Sequence, residues 1–171
     1  ALVASVLQIW AGHWSASVVA AQNPEKLAAL EGHYRSGPAD LNLFGWVDQR
    51  GERVRFGIAL PGMLSWLVHG DPSEPVPGLD QVPPADRPAV NVVFQLYHLM
   101  VALGFGLLGL TLYTGYHALR GTLFDHRRLL WVLVFSVLGP QIANQAGWFT
   151  AELGRQPWIV YRLLRTSDGL S

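Results

Sequence analysis

Six side chains near the C-terminal end could act together. Gln141, Asn144, Gln145, Trp148, Glu152 and Arg155 recur at spacings of three and four, which puts them on one face of a helix. An amide-rich stripe ending in a carboxylate is costly against lipid, so it should face a bundle interior, where such groups usually function. Glu152 could ligate a metal, relay a proton or pair with Arg155; the plainer reading is an interfacial residue in an i,i+3 ion pair at a helix end. A second group, Tyr97, His98 and Met100, stands in an otherwise apolar stretch with Gly104, Gly106 and Gly109. Small residues permit close helix approach or leave room for a flat cofactor. A thioether can be an axial ligand that raises the potential of a haem, although a lone Met in a membrane helix is more often packing. His98 reads more readily as a hydrogen-bonded core histidine than as a ligand. Third, Lys26 and Glu31 set a cation and a carboxylate on one short helix. They could bind and deprotonate a small polar headgroup, or simply be two solvated charges.

These groups need elements to hold them, and the charge distribution shows which. In 171 residues there are twelve Lys+Arg and twelve Asp+Glu, 14% charged in all; soluble domains average about 25%. From Pro88 to Leu119, and again from Leu129 to Ala151, there is no Asp, Glu, Lys or Arg. Each stretch matches or exceeds the roughly 20 apolar residues that cross a bilayer core of about 30 Å. The absence of cysteine rules out a disulfide-stapled class. A net charge of zero argues against a nucleic-acid partner. The predicted class is therefore an all-α integral membrane bundle.

Residues 1–19 are expected to form the end of one transmembrane helix, because the apolar run Ala1–Ala11 is about half a span and lacks the basic flank of a signal peptide. Residues 20–90 then form an extramembrane loop holding most of the prolines; nine of the twelve acids lie between Gly12 and Pro88. Connections that long usually carry function. Within it, Pro24 to about Tyr34 reads as an amphipathic helix with Pro in its first turn. Phe56–His69, broken by Pro61-Gly62, is too short to span and should lie on the membrane surface or against the bundle. The prolines from Pro75 to Pro88 stiffen an extended return. Residues 91–119 and 129–153 are the complete spans, with Pro140 kinking the latter before its polar stripe. The connector 120–128 carries Arg120, Arg127 and Arg128 against Asp125, so the positive-inside rule makes it cytoplasmic and the long loop outer. Arg155, Arg162 and Arg165 in the closing segment, 154–171, blur that signal.

Five motifs then stand in order: GHWSA at Gly12–Ala16, NPEKLAALEGHY at Asn23–Tyr34, PVPGL at Pro75–Leu79, VFQLYHLMVALG at Val93–Gly104 and GWFTAELGRQPW at Gly147–Trp158. With them, the whole chain resembles the C-terminal half of subunit I of the cytochrome bd quinol oxidases, bacterial terminal oxidases that oxidise quinol and reduce oxygen to water. The resemblance implies haem b in low-spin and high-spin forms and haem d as cofactors. It also implies the bacterial cytoplasmic membrane, a quinol-binding loop on its periplasmic or outer face, and partnership with the remainder of subunit I, subunit II, quinol and the lipid bilayer.

By the same resemblance, Met100 matches the thioether ligand of low-spin haem b and Glu152 a carboxylate ligand of a high-spin haem. Trp148 matches a tryptophan between haems, placed to help electron transfer. Lys26 and Glu31 match the quinol-site pair, with Glu31 the candidate proton acceptor. Arg155, Gln156 and Trp158 belong to the motif around the haem site. The family's histidine ligands lie on helices upstream of Ala1, and a further helix is expected after Ser171. The chain is thus read as a fragment that does not reduce oxygen alone. One departure is His98, where some members carry arginine. The rival reading is a non-catalytic, split or degenerate homologue serving as a membrane scaffold, which would have no need of Lys26, Glu31, Met100 and Glu152 together.

Overall fold

The computed structural model describes residues 2–169. Ala1, which opens the first apolar run, and Leu170 and Ser171, which close the 154–171 segment, lie outside the described residues. The first helix, α1 (Leu2–Gln22), is longer than the apolar run that opens it and is itself long and apolar enough to cross a membrane. Gly12, Ser15 and Ser17 interrupt its hydrophobicity without adding charge, and the Ser17 hydroxyl donates back to the His13 carbonyl (3.0 Å), so the helix continues.

After a one-residue break comes α2 (Pro24–Glu31). The Asn23 side chain caps it by accepting from the Lys26 N–H (3.0 Å), and Pro24 sits in the first turn, where its missing N–H is no loss. Gly32 ends it at φ 63, a left-handed conformation. A Cβ there would stand 3.0 Å from Val54 and 3.3 Å from Phe94 and Val47, so glycine also lets those side chains close over the helix end.

The expectation of an all-α chain fails in the next segment. β1 (Leu41–Asp48) and β2 (Arg53–Leu60) pair antiparallel from Leu41↔Leu60 to Asp48↔Arg53, with irregularities flanking Phe44. Both runs are rich in β-branched and aromatic residues, and Asp48 accepts from the Arg50 and Gly51 N–H groups to close the turn between them. The apolar run predicted over Phe56–His69 is thereby divided. Its first part is strand, Pro61-Gly62 is the turn, and the remainder is α3 (Met63–His69). The proline-rich return is irregular, with single 3₁₀ turns at Leu79–Gln81 and Pro84–Asp86.

Helix α4 (Val90–Leu119) follows. Its 30 residues extend about 45 Å, roughly 15 Å more than a bilayer core, so one end can reach into the loop while the rest spans. The third candidate span is two helices, α5 (Arg127–Phe135) and α6 (Leu138–Leu153). The break at Ser136-Val137 has its cause in Pro140, which lacks an N–H and whose ring crowds the carbonyl four residues earlier, that of Ser136. Helices α4 and α6 pack antiparallel, with Gly139 against Leu107 and Gly147 against Met100. A short hairpin closes the described chain, β3 (Trp158–Val160) with β4 (Leu164–Arg165).

The core lies at the loop end of the spans. One cluster joins Ala28, Ala29 and Leu30 of α2 to Val47 of β1, Leu79 and Val82 of the return, and Val90, Val93 and Phe94 of α4. A second joins Leu27, Ala39, Leu64 and Val76. Helix α2 is therefore enclosed rather than lying on the surface. The arginines that blurred the orientation signal are all paired on this side: Arg155 with Glu152, Arg162 with Glu25 (2.6 Å) and Arg165 with Asp86 (2.6 Å).

Candidate functional site

Lys26 and Glu31 lie five residues apart, about 140° around a helix of 3.6 residues per turn, so α2 must point them different ways. Glu31 turns into the core, 1% exposed. Burial pushes its carboxyl up from 4.5 to about 8, while the neighbouring Tyr97 hydroxyl and Asn42 backbone N–H pull the other way. Oε2 of Glu31 is buried without a hydrogen-bond partner among the described residues. The Asn42 amide also donates to the Glu31 carbonyl (2.9 Å), tying β1 to the end of α2.

His98 fixes the same corner from α4. Its ring stacks on Phe94 at 3.9 Å, with one nitrogen 2.8 Å from the Phe94 carbonyl and the other 2.7 Å from the Asn42 carbonyl. It sits as the hydrogen-bonded histidine that its surroundings in the sequence suggested. Two further bonds hold β1 on α4: Gln95 donates to the Gly45 carbonyl (2.7 Å), and Asn91 accepts from the Val47 N–H (3.1 Å).

Lys26 turns toward the end of α6. Its alkyl chain lies 3.4 Å from where a Gly154 Cβ would stand, and Nζ reaches the Ala151 carbonyl at 3.5 Å. Partial burial and the neighbouring Arg155 guanidinium lower its pKa, against an opposing pull from Glu152. Helix α2 thus meets the GRQPW segment across 125 residues of sequence. Glu152 is held in a close ion pair by Arg155. Gln156 and Trp158 turn away from that carboxylate: the Gln156 oxygen accepts from Thr166 (2.8 Å), and the Trp158 ring lies under the Arg165 guanidinium, 5.2 Å from its centroid.

Met100 lies in the α4–α6 seam. Its sulfur is 2.8 Å from where a Cβ on Gly147 would stand, so only glycine leaves that space. Trp148, 57% exposed, belongs with Gln141, Asn144 and Gln145 to the face of α6 turned away from α4. The polar stripe is therefore one face, as the spacing predicted, and α4 does not cover it. Among the described residues no three His, Cys, Asp or Glu side chains converge to cage a metal ion. Met100 offers a single thioether and Glu152 a single carboxylate already paired with Arg155, one donor each rather than a cage for a free ion.

Sequence reasoning did not find the burial of Glu31, nor the pairing of Arg162 and Arg165 with loop acids, because both are set by how α2 and the closing segment dock.

The family model for cytochrome bd terminal oxidase subunit I matches residues 1–171. The chain is 35% identical over 169 residues to the Bacillus subtilis (strain 168) protein named "Putative cytochrome bd menaquinol oxidase subunit I", covering 96% of this chain and 37% of that one. It is 27% identical over 222 residues to cytochrome bd-II ubiquinol oxidase subunit 1 of Escherichia coli (strain K12), covering 91% and 43%. The solved structure of bd oxidase from Geobacillus thermodenitrificans superposes with a TM-score of 0.83 at 32% identity, over 100% of this chain and 40% of that one. The chain spans about two fifths of the length of these relatives.

Proposed function

Because the chain belongs to the cytochrome bd terminal oxidase subunit I family, we propose that it supplies the quinol-oxidising loop and two haem ligands of a membrane-bound quinol:oxygen oxidoreductase. The observation that carries this reading is the placement of Glu31. A buried carboxyl with an unpartnered oxygen ends α2 where α2 packs on the loop end of α4, the helix that carries Met100. Oxidation of a quinol to a quinone releases two protons and two electrons. A proton acceptor packed against the helix that carries an electron-entry ligand is what that coupled release needs.

In its ionised form Glu31 takes the proton of a quinol hydroxyl. A base of about 8 suits this task near neutral pH, closer to the donor than an ordinary carboxylate would be. Lys26, on the opposite side of α2, places its cation by the end of α6. It orients the substrate's polar head or the α2–α6 contact while Glu31 takes the proton. Met100 would hold low-spin haem b from the seam, and Glu152 would hold a high-spin haem, b or d. Arg155 would pair with a carboxylate substituent of the latter, Gln156 and Trp158 order the segment behind it, and Trp148, on the open face of α6, would stand between the haems. When bound, the haems supply the one-electron chemistry that joins quinol oxidation to oxygen reduction. The remainder of subunit I, subunit II and the lipid bilayer complete the site, in the bacterial cytoplasmic membrane with the loop on the outer face.

The test is expression of the complete gene with its partner subunit in membranes of an oxidase-deficient host. Reduced-minus-oxidised spectra should show haem b and haem d bands, and added quinol should drive oxygen uptake; membranes without either signal would overturn the reading.

A further inference from the structure

At the end of the spans remote from the loop, a cavity of about 580 Å³ opens between α4 and α5, within the roughly 300–1,000 Å³ usual for ligand sites. Part of its lining is apolar, from Leu110 of α4 and Leu129 and Val132 of α5; the polar part carries Tyr113, Asp125, Arg127 and Arg128. The connector beside it is held in place. The His117 ring packs on His126 with centroids 4.1 Å apart, and His117 Nδ1 lies 2.9 Å from the Thr122 hydroxyl. Among the described residues Arg127, Arg128 and Asp125 take part in no ion pair, whereas Arg155, Arg162 and Arg165 at the loop end each hold an acid. The first turn of α5 has no acid and no side-chain cap, so two cations stand at the positive end of a helix dipole. That arrangement costs stability unless an anion offsets it. Arg127 and Arg128 are also the last charges before the charge-free run Leu129–Ala151. With that run in hydrocarbon, both guanidinium groups stand at the level of the lipid phosphates.

We propose that this cavity binds one anionic phospholipid, its phosphate on Arg127 and Arg128 and the first carbons of an acyl chain on Leu110 and Val132. A bilayer supplies at this depth a molecule that is phosphate at one end and hydrocarbon at the other, and the lining offers a partner to each. Basic pockets between spans at the membrane boundary suit such head groups, and the planar guanidinium fork matches phosphate oxygens. A free phosphate would meet the arginines and leave the apolar wall wet. Asp125 sets the selectivity. With two cations and one carboxylate, the lining carries one net positive charge, which complements a lipid of one net negative charge and not a zwitterion. A lipid seated there bridges α4 and α5 at their connector and neutralises the first turn of α5.

The test uses the complete, delipidated oxidase in detergent and follows by native mass spectrometry the binding of phosphatidylglycerol, and of phosphatidylethanolamine with the same acyl chains. The native complex should hold one phosphatidylglycerol that an Arg127→Gln/Arg128→Gln double variant does not. One net charge near a membrane surface corresponds to about fivefold in affinity, so that site should prefer phosphatidylglycerol by about this factor. Asp125→Asn, which keeps both arginines, should raise the preference about fivefold further. Both variants should keep the reduced-minus-oxidised haem spectrum of the native complex. Equal retention of the two lipids by the native complex would overturn the proposal, and so would a double variant that keeps its phosphatidylglycerol or an Asp125→Asn complex with unchanged preference. Displacement of the lipid by millimolar inorganic phosphate would assign the cavity to a free anion and overturn it too. If the double variant does not assemble, the native and Asp125→Asn complexes decide by the same comparison of lipids.

Discussion

Replacing Glu31 by Gln keeps the shape of the side chain and removes its ability to ionise, so the variant isolates what burial of this carboxyl costs. In the native fold the group keeps its proton to about pH 8, whereas in the unfolded chain it releases it near 4.5. Below 4.5 both states are protonated and the group contributes no pH dependence. Between 4.5 and 8 only the unfolded chain has released the proton, so the folded state loses stability as pH rises through this window. The slope is about 1.4 kcal/mol per pH unit, flattening near the upper limit, which amounts to about 2–3 kcal/mol between pH 6 and pH 8. Side-chain exposure of 1% leaves little solvent screening to reduce that figure. Gln has no such dependence. Thermal midpoints of the detergent-solubilised oxidase at pH 6, 7 and 8 should therefore show the Gln variant gaining on the native protein as pH rises, by about two degrees over the range. Taking the difference at each pH cancels every other titrating group. Parallel curves, or a gap that narrows with pH, would refute the assignment of Glu31 as a carboxyl buried in protonated form.

Two further outcomes follow from the packing. Gly147→Ala should gain about 1 kcal/mol of helix propensity, yet its Cβ would start 2.8 Å from the Met100 sulfur and displace it; the complex should assemble with unchanged thermal stability or better while the low-spin haem band shifts or weakens in the reduced-minus-oxidised spectrum. Arg162→Ala breaks an ion pair whose arginine is 65% exposed, so the loss in stability should stay below about 1 kcal/mol and haem spectra should not change.

The spans were legible because lipid imposes a single requirement, absence of charge over a bilayer's thickness, and the stretches at Pro88–Leu119 and Leu129–Ala151 meet it plainly. The break before the polar stripe was legible from Pro140, since one missing N–H acts locally. The hairpin of β1 and β2 is hard to see in the sequence, although Leu41–Leu60 carries strand-forming residues around an Asp-Gln-Arg-Gly turn, because Phe56–Leu60 and the helix that follows are both apolar and read as one run. At the site, the residue types and the single polar face of α6 could be read from spacing. What could not be read was depth. Glu31 and Lys26 look like two charges on a short helix until α2 is packed between β1 and α4, which buries one and leaves the other against Gly154. The packing of α2 on the loop end of α4 likewise joins segments about 60 positions apart, which no local pattern encodes.

The central claim is that Met100 binds an iron rather than merely filling the α4–α6 seam, and its most direct test is the reduced-minus-oxidised spectrum of the complete oxidase carrying Met100→Leu. Leu conserves volume and apolar character, so packing alone is little disturbed. The account predicts selective loss of the low-spin haem b band with the other haem bands retained; a spectrum identical to that of the native oxidase would contradict it.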